Sequence, residues 1–424
     1  MKNIKINVFS AFAGYDSQFM ALRRFAKWFN ILFRGLFHLE FDLIGWCEID
    51  PDAIASHNAL FPEYKDRHYN DIRTVPWDEL KIDNLIYSSC CQDITGNGNQ
   101  EGFAEGSGTR SALIWDVLKG IRICRPQCCI LENVPAILEK KFCNEFRKWQ
   151  EAVDNENQII CKGGPEYISN WTTLSAMDFG VPQNRNRCFM VSFRKDINKR
   201  CVFPVPFTLE KGAESLLDKR VSENYYLTDE DAVKFIAGLD KEKTIETVNM
   251  MKKDAYRGEC DCNQRIVTPA RMNTSPHVAP TLVADAAYAQ TPYTRFLTSA
   301  NYPRPAVVEV WKGTETVCVK LPYVKDMKDI SNGSQAEILD TVKNLKSDEY
   351  LRLRRLTPSE CFRLMGVDEK DILKLITSGV SEGQLYKQAG NAIVVDVMCH
   401  LYQSLFSDIH KWYKPSTTQG GSFE

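Results

Sequence analysis

Apolar positions fall along this chain in two kinds of run. Short, nearly continuous runs read as buried strands: Ile6-Asn7-Val8-Phe9-Ser10, Ile44-Gly45-Trp46-Cys47-Glu48-Ile49-Asp50, Asn84 to Tyr87, Gln127 to Val134 and Cys188-Phe189-Met190-Val191. Longer stretches with helical spacing lie between them. Gln18-Phe19-Met20-Ala21-Leu22 opens one, Ser111 to Ile123 forms another, and an apolar helix runs through Leu405. Arg23 to Leu43 mixes basic residues with aromatics at helical spacing and predicts an amphipathic helix packed on the core; a DNA-contacting helix is the alternative. Strands that alternate with turns and helices predict an open α/β sheet. From Arg200 to about Tyr350 the regularity drops, with charged, turn-rich and short strand-like pieces alternating, which predicts a smaller second domain. The boundaries expected are 1–198, 199–350 and 351–424.

Turn and cap signals sharpen this outline. Ala11 to Ser17 reads as a tight turn between a strand and a helix. Asp50 precedes Pro51-Asp52-Ala53 as a helix cap. Thr357-Pro358-Ser359-Glu360 has the spacing of a capping box, and Gly366 ends that helix. Lys414 to Glu424 is polar and expected to fray.

Composition adds mainly exclusions. The 424 residues include 25% charged side chains with a net charge of -2, so any nucleic-acid site must be a local basic face. Met1-Lys2-Asn3-Ile4 begins no long apolar run, so no secretory leader is expected, and no run reaches bilayer length. Fifteen scattered cysteines, an odd number, suit a reducing compartment better than a disulfide framework. Cys260-Asp261-Cys262 lacks a second ligand pair with zinc-like spacing, so no metal is expected.

The candidate chemistry sits where a strand meets a glycine-rich loop. Asn84 to Tyr87 leads into Ser88-Ser89-Cys90-Cys91-Gln92, and a flexible stretch, Gly96 to Gly108, follows. Taken alone, Cys91 reads as a small buried hydrophobe. Its place at a strand end, where open α/β sheets hold ligands, favours a nucleophile. Gln127 to Val134 is a strand-like run that carries Glu132 near its end, and pairing it in parallel with the first would bring Cys91 and Glu132 to one edge. Arg185 and Arg187, spaced by one residue before a strand, point to the same side. The strand from Ile44 to Asp50 has an acid at its end, where an acid commonly takes ribose hydroxyls.

With these residues in place, the chain resembles the C5-cytosine DNA methyltransferases of bacteria and phages, from about Ile6 to about Leu405. Cys91-Gln92 and Glu132-Asn133-Val134 are similar to the catalytic motifs. Gln183-Asn184-Arg185-Asn186-Arg187 resembles the Gln-x-Arg-x-Arg block, which adds Arg185 and Arg187 to the catalytic set. Phe12-Ala13-Gly14 resembles the cofactor loop, although Asp16 and Ser17 stand where that loop usually has two glycines, and Cys90 replaces a proline before the nucleophile. The resemblance implies a doubly wound, Rossmann-like S-adenosyl-L-methionine methyltransferase sheet with a smaller, mainly β or irregular target recognition domain. The segment 351–424 returns to complete the catalytic domain, through Gly390-Asn391.

By the same resemblance, Glu48 meets the cofactor ribose, Ile49 the adenine face and Asp71 the adenine amino group. Ile72, Cys90, Leu113, Asn391 and Ala392 complete that pocket. Gln92 and Thr95 on the loop contact DNA, as do Thr281-Leu282 and the flanking loops, from Asn263 to Asn273 and from Val283 to Arg295. Arg265, Arg271 and Arg295 are the basic base-reading candidates there.

The implied chemistry is a thiolate of Cys91 adding to C6 of a flipped-out cytosine, with Glu132 supplying a hydrogen bond or proton at N3 and Arg187 holding O2. The loop from Gln92 to Gly108 closes over the base as a lid, with Gly96, Gly98, Gly102, Gly106 and Gly108 as hinges. The partner expected is double-stranded DNA, for a monomer in the cytoplasm, with or without a cognate restriction enzyme. The alternatives are the same reaction on RNA, tRNA included, and a catalytically weak DNA-binding relative. The base that removes the C5 proton is left open between water and a side chain.

Overall fold

The computed structural model describes residues 1–88, 91, 93–94, 100–226, 262–267, 279–280, 306–312 and 349–414. Their core is a seven-stranded sheet. Its strands in chain order are β1 (Lys2–Ala11), β2 (Phe37–Cys47), β3 (His68–Tyr69), β4 (Asn84–Ser88), β5 (Cys128–Asn133), β6 (Tyr167–Ser175) and β8 (Asn186–Arg194), with a two-residue strand, β7 (Gln183–Asn184), outside it. The spatial order is β3-β2-β1-β4-β5-β8-β6. The first five are parallel, whereas β8 runs antiparallel to both β5 and β6. The order reverses between β1 and β4, the place where open α/β sheets leave a crevice at their strand ends.

Strand residues alternate between two apolar cores. Ile6, Val8, Ile86, Cys128 and Ile130 face one, which also takes α1 (Ser17–Leu32). Phe9, Leu85, Tyr87, Cys129 and Leu131 face the other, which takes α3 (Ile114–Cys124) and α4 (Cys143–Asp154). Burial on both faces is why these strands read as continuous apolar runs. The neighbours Cys128 and Cys129 thus point to opposite cores, and burial pushes both thiols well up, away from ionisation.

One expectation is corrected. Arg23 to Leu43 is not a single helix, because α1 stops at Leu32 and β2 begins at Phe37. Gly35, at φ +83, makes the turn between them. Asn30 then clamps the new strand, accepting from Leu39 N–H at 2.7 Å and donating to its carbonyl at 2.9 Å. The signal passed over was period two: Leu39, Phe41 and Leu43 are buried while Glu40 and Asp42 are not. Phe25 and Phe29 on α1 are fully buried, as the packed-helix reading expected.

Asp50 caps α2 (Pro51–Leu60) by accepting from Asp52 N–H at 3.0 Å. The later helices are α5 (Pro358–Arg363), α6 (Glu369–Ile376), α7 (Glu382–Asn391) and α8 (Val395–Phe406). Thr357 and Glu360 form the capping box, and Gly366 follows the helix at φ +73. Helix α8 packs along α1 rather than beside β1, with Tyr402 Oη donating to Gln18 O at 3.3 Å. The next turn reaches the first strand, where Tyr413 Oη donates to Lys5 O at 2.7 Å. Arg24 on α1 joins the same junction, bonding Gly366 O at 2.7 Å and Asp396 at 2.8 Å. The N-terminal and C-terminal segments therefore share one core.

Strands β9 (Cys262–Val267) and β11 (Ala306–Lys312), from the stretch expected to be the smaller domain, form an antiparallel sheet with β12 (Glu349–Arg354), which straddles the boundary expected at 350, in the order β12-β11-β9. A further strand, β10 (Ala279–Pro280), pairs in parallel with β7 of the first domain. Residues 415–424, expected to fray, lie outside the described residues.

Candidate active site

Strands β4 and β5 lie side by side with Ser88 opposite Glu132, three residues before Cys91. Cys91 is half-buried against the second core. Its carbonyl accepts from Ile94 N–H at 3.1 Å. The loop beyond is stapled at both ends by Asp93, a buried residue that sequence reasoning missed. The Asp93 carboxylate accepts from Ser111 N–H at 2.9 Å, and its carbonyl accepts from Gly102 N–H at 2.9 Å. Phe103 is fully buried, and its N–H donates to Glu145 at 2.6 Å. Gly102, Gly106 and Gly108 all have positive φ. The other expected hinges, Gly96 and Gly98, lie outside the described residues.

Glu132 and Arg187 meet across the antiparallel pair β5–β8, where Glu132 stands opposite Phe189 and Asn133 opposite Cys188. Arg187 Nε lies 3.1 Å from Glu132 Oε1, with only 16% and 9% of the two side chains exposed. Burial pushes the Glu132 carboxyl above its ordinary range, while Arg187 and then Arg185 pull it back. Arg185 is 2% exposed and donates to the carbonyls of Gly390 at 2.8 Å and Ala392 at 2.6 Å. Burial, then Arg187, lowers the Arg185 guanidinium to about 9, while Glu132 and Cys91 act on it in the opposite sense. Cys91, Glu132, Arg185 and Arg187 thus share one electrostatic neighbourhood. Arg185 also anchors the returning C-terminal segment.

A cradle lies beside this cluster, at the ends of β1 and β2. Ala13 N–H donates to Cys47 O at 2.9 Å, and Gly14 N–H donates to Glu48 Oε2 at 2.8 Å. The other oxygen of Glu48 accepts from Ile49 and Asp50 N–H, at 2.8 and 2.9 Å. Ile49 is 67% exposed, unusual for an isoleucine next to such an ordered turn. Phe12 takes positive φ and packs on the second core. Asp71 caps a short turn and holds Arg73 at 2.5 Å, and Arg73 keeps its carboxyl below the usual range. Ile72 is buried in the second core. Leu113 is half-buried on the turn before α3, Asn391 is exposed at the end of α7, and Ala392 is half-buried.

These residues fit an adenosyl sulfonium ligand. Gly14 has open space on the side a Cβ would occupy, Glu48 offers a carboxylate for hydroxyls, and Ile49 offers an exposed apolar face. Among the described residues no group of three or more His, Cys, Asp or Glu is placed to hold a metal. No described helix is long and apolar enough to cross a membrane.

Several expected site residues fall outside the described residues: Cys90, Gln92, Thr95, Arg271, Thr281, Leu282 and Arg295, as well as Cys260 and Asp261 of the half metal site. Arg265 lies on β9, where only the backbone is described. Backbone pairing still carries information here. Pro280, immediately before Thr281, stands opposite Asn184, immediately before Arg185. Ala279 and Pro280 are thereby paired with the block that supplies both arginines.

Residues 6–407 match the family described as C-5 cytosine-specific DNA methylase. The chain is 25% identical over 453 residues to type II methyltransferase M2.ScrFI of Lactococcus lactis subsp. cremoris, covering 95% of this chain and 99% of that protein. It is 24% identical to orphan methyltransferase M.SPRI of Bacillus phage SPR, covering 95% and 97%. Among solved structures, a mutant of Spodoptera frugiperda DNMT2 superposes with a TM-score of 0.59 at 16% identity, covering 95% of this chain and 99% of that one. At that identity the superposition speaks for the fold.

Proposed function

This chain belongs to the C-5 cytosine-specific DNA methylase family, and from that premise we propose that it methylates C5 of a flipped-out cytosine at a specific sequence in duplex DNA, using S-adenosyl-L-methionine. The bound cofactor supplies an electrophilic methyl group. The remaining work falls to the chain. Cys91 Sγ, as thiolate, adds to C6 of the cytosine. The displaced electron pair is stabilised at N3 by a proton or hydrogen bond from Glu132, and C5 becomes nucleophilic. Arg187 orients the ring at O2, and Arg185 supplies the positive neighbour that favours a thiolate. After C5 takes the methyl group, loss of its proton to water or a side chain expels the thiolate and restores the ring.

The observation that supports this reading most is Glu132: a carboxyl at the sheet mouth, pushed up by burial and set 3.1 Å from Arg187, in the electrostatic neighbourhood of Cys91. Raising the carboxyl's proton affinity favours donation at N3. Residues 1–198 form the catalytic and cofactor-binding domain, 199–350 the target recognition domain, and 351–424 returns to the first. The pairing of Pro280 with Asn184 supports a recognition domain tied directly to the catalytic rim. The enzyme acts as a cytoplasmic monomer in restriction-modification or in phage protection, with any restriction partner encoded separately.

Bisulfite sequencing of plasmid DNA from cells expressing the chain tests this reading. Protected cytosines should appear at one recurring sequence, and Cys91→Ser should abolish them while cofactor binding persists. Unprotected plasmid alongside newly methylated tRNA would move the activity to RNA. Retained transfer in Cys91→Ser, with loss in Cys90→Ser, would move the nucleophile.

A further inference from the structure

Beneath the cofactor turn lies a buried pair of side chains that the methyl-transfer chemistry does not use. Asp16, which stands where the family loop usually has glycine, is in the left-handed conformation at φ 66, ψ 51. That backbone strains most L residues and is tolerated best by Gly, Asn and Asp. Asp16 Oδ1 accepts from Phe19 N–H at 3.1 Å, capping α1, and from Ser10 Oγ at 2.9 Å. Its other oxygen is completely buried with no hydrogen-bond partner among the described residues. His57 Nε2 faces that oxygen at 3.5 Å, and both side chains are 0% exposed. Neither ring nitrogen of His57 has a hydrogen-bond partner among the described residues.

The ordinary fate of a buried histidine is a satisfied core residue, and His57 does not meet that description. Its ring is stacked on Trp46, with centroids 3.6 Å apart and planes 15° apart, which fixes the ring plane. Trp46 directly precedes Cys47 and Glu48, whose oxygens hold the N–H groups of Ala13 and Gly14. One imidazole therefore touches both halves of the cradle: the β1 turn through Asp16, and the end of β2 through Trp46. The second replaced glycine acts in parallel, since Ser17 Oγ accepts from Ile393 N–H at 3.2 Å, beside Asn391 and Ala392.

We propose that Asp16 and His57 are positioning residues, a buried carboxylate–imidazole pair that holds the cofactor turn in the left-handed shape glycine would otherwise supply. This inference rests on the reading that the chain binds S-adenosyl-L-methionine. A buried carboxylate oxygen needs a donor, and His57 Nε2, 3.5 Å away, is the nitrogen facing it, so the tautomer protonated there supplies the donor. Removing the imidazole should release the turn, displacing Gly14 N–H from Glu48 without touching Cys91 or Glu132.

The test is calorimetric titration of S-adenosyl-L-methionine into the purified full chain, together with steady-state methylation of plasmid DNA and thermal melting. His57→Ala should weaken cofactor binding by roughly tenfold or more, with kcat at saturating cofactor changed by less than about threefold. His57→Gln, which keeps an N–H donor, should recover most of the affinity, and it serves as the folded comparison where His57→Ala does not fold. In an Asp16→Gly background the carboxylate is gone, so His57→Ala should then change affinity by less than about twofold. A lower melting temperature with unaltered cofactor affinity overturns the inference, as does an equal loss of affinity in both backgrounds. Wild-type chain that binds no S-adenosyl-L-methionine defeats the functional reading as well, whereas normal wild-type binding with unaffected variants defeats only the positioning pair.

Discussion

Two buried arginine–glutamate pairs in this chain have the same chemistry and opposite design. Arg354 and Glu360 are both 0% exposed and meet through two bonds of 2.8 Å. The same carboxylate accepts the N–H groups of Thr357 and Asp218, each at 2.7 Å, so its lone pairs are well matched. Arg187 and Glu132 approach no closer than 3.1 Å, Nε to Oε1, at the mouth of the sheet rather than inside it. There burial pushes the carboxyl above its ordinary range, against the pull of Arg187. A saturated pair locks a junction, here the end of β12 onto α5. A sparsely bonded pair keeps a proton and a hydrogen-bonding direction available for a ligand.

Breaking the sparse pair should cost activity first. Glu132→Gln should lower kcat about a hundred- to ten-thousandfold, measured by methyl incorporation, with a melting temperature equal to or above that of the wild type. Breaking the saturated pair should do the reverse. Glu360→Gln leaves the Arg354 guanidinium buried without its counterion and should destabilise by about 3–5 kcal/mol in denaturant titration. Replacing both, as Arg354→Met with Glu360→Leu, should recover all but about 1 kcal/mol, the loss of the capping box. A double variant as unstable as Glu360→Gln would erase the distinction between the two pairs.

The smallest effect is a pH slope. Because the folded-state pKa of Glu132 lies above its unfolded value, the stabilisation comes from the protonated form. That stabilisation is complete below the ordinary glutamate range and is lost as pH rises through the raised value. The wild type should therefore lose stability relative to Glu132→Gln over that rise and run parallel to it at higher pH, as read from melting temperature against pH. A difference that stays constant across the range would mean that Glu132 is an ordinary anion.

Much of the fold is legible in the sequence. Continuous apolar runs gave β1, β4, β5 and β8 because their strands are covered on both faces, and the capping box near Thr357 follows from side chains that reach only three residues. The helix–strand boundary after Leu32 was misread because aromatic residues serve both elements: Phe25 and Phe29 pack α1, whereas Phe37 and Phe41 belong to β2. Asp93 and His57 escaped notice for a different reason. Their importance lies in partners eighteen and forty-one positions away, Ser111 and Asp16, and no local pattern reports such a pairing.

The sequence alone indicated an open α/β sheet, several of its strands and helices, the thiol, carboxyl and arginines proposed for the site, and the family to which their spacing belongs. These depend on periodicity and on residue type, which are local properties of the chain. Tertiary structure decided that Glu132 is a raised carboxyl rather than a surface anion, that Arg185 bonds the carbonyls of Gly390 and Ala392, and that Asp16 in place of glycine has a buried imidazole to answer it. Burial and distance set proton affinity and hydrogen-bond partners, and both arise only when residues far apart in sequence share one interior.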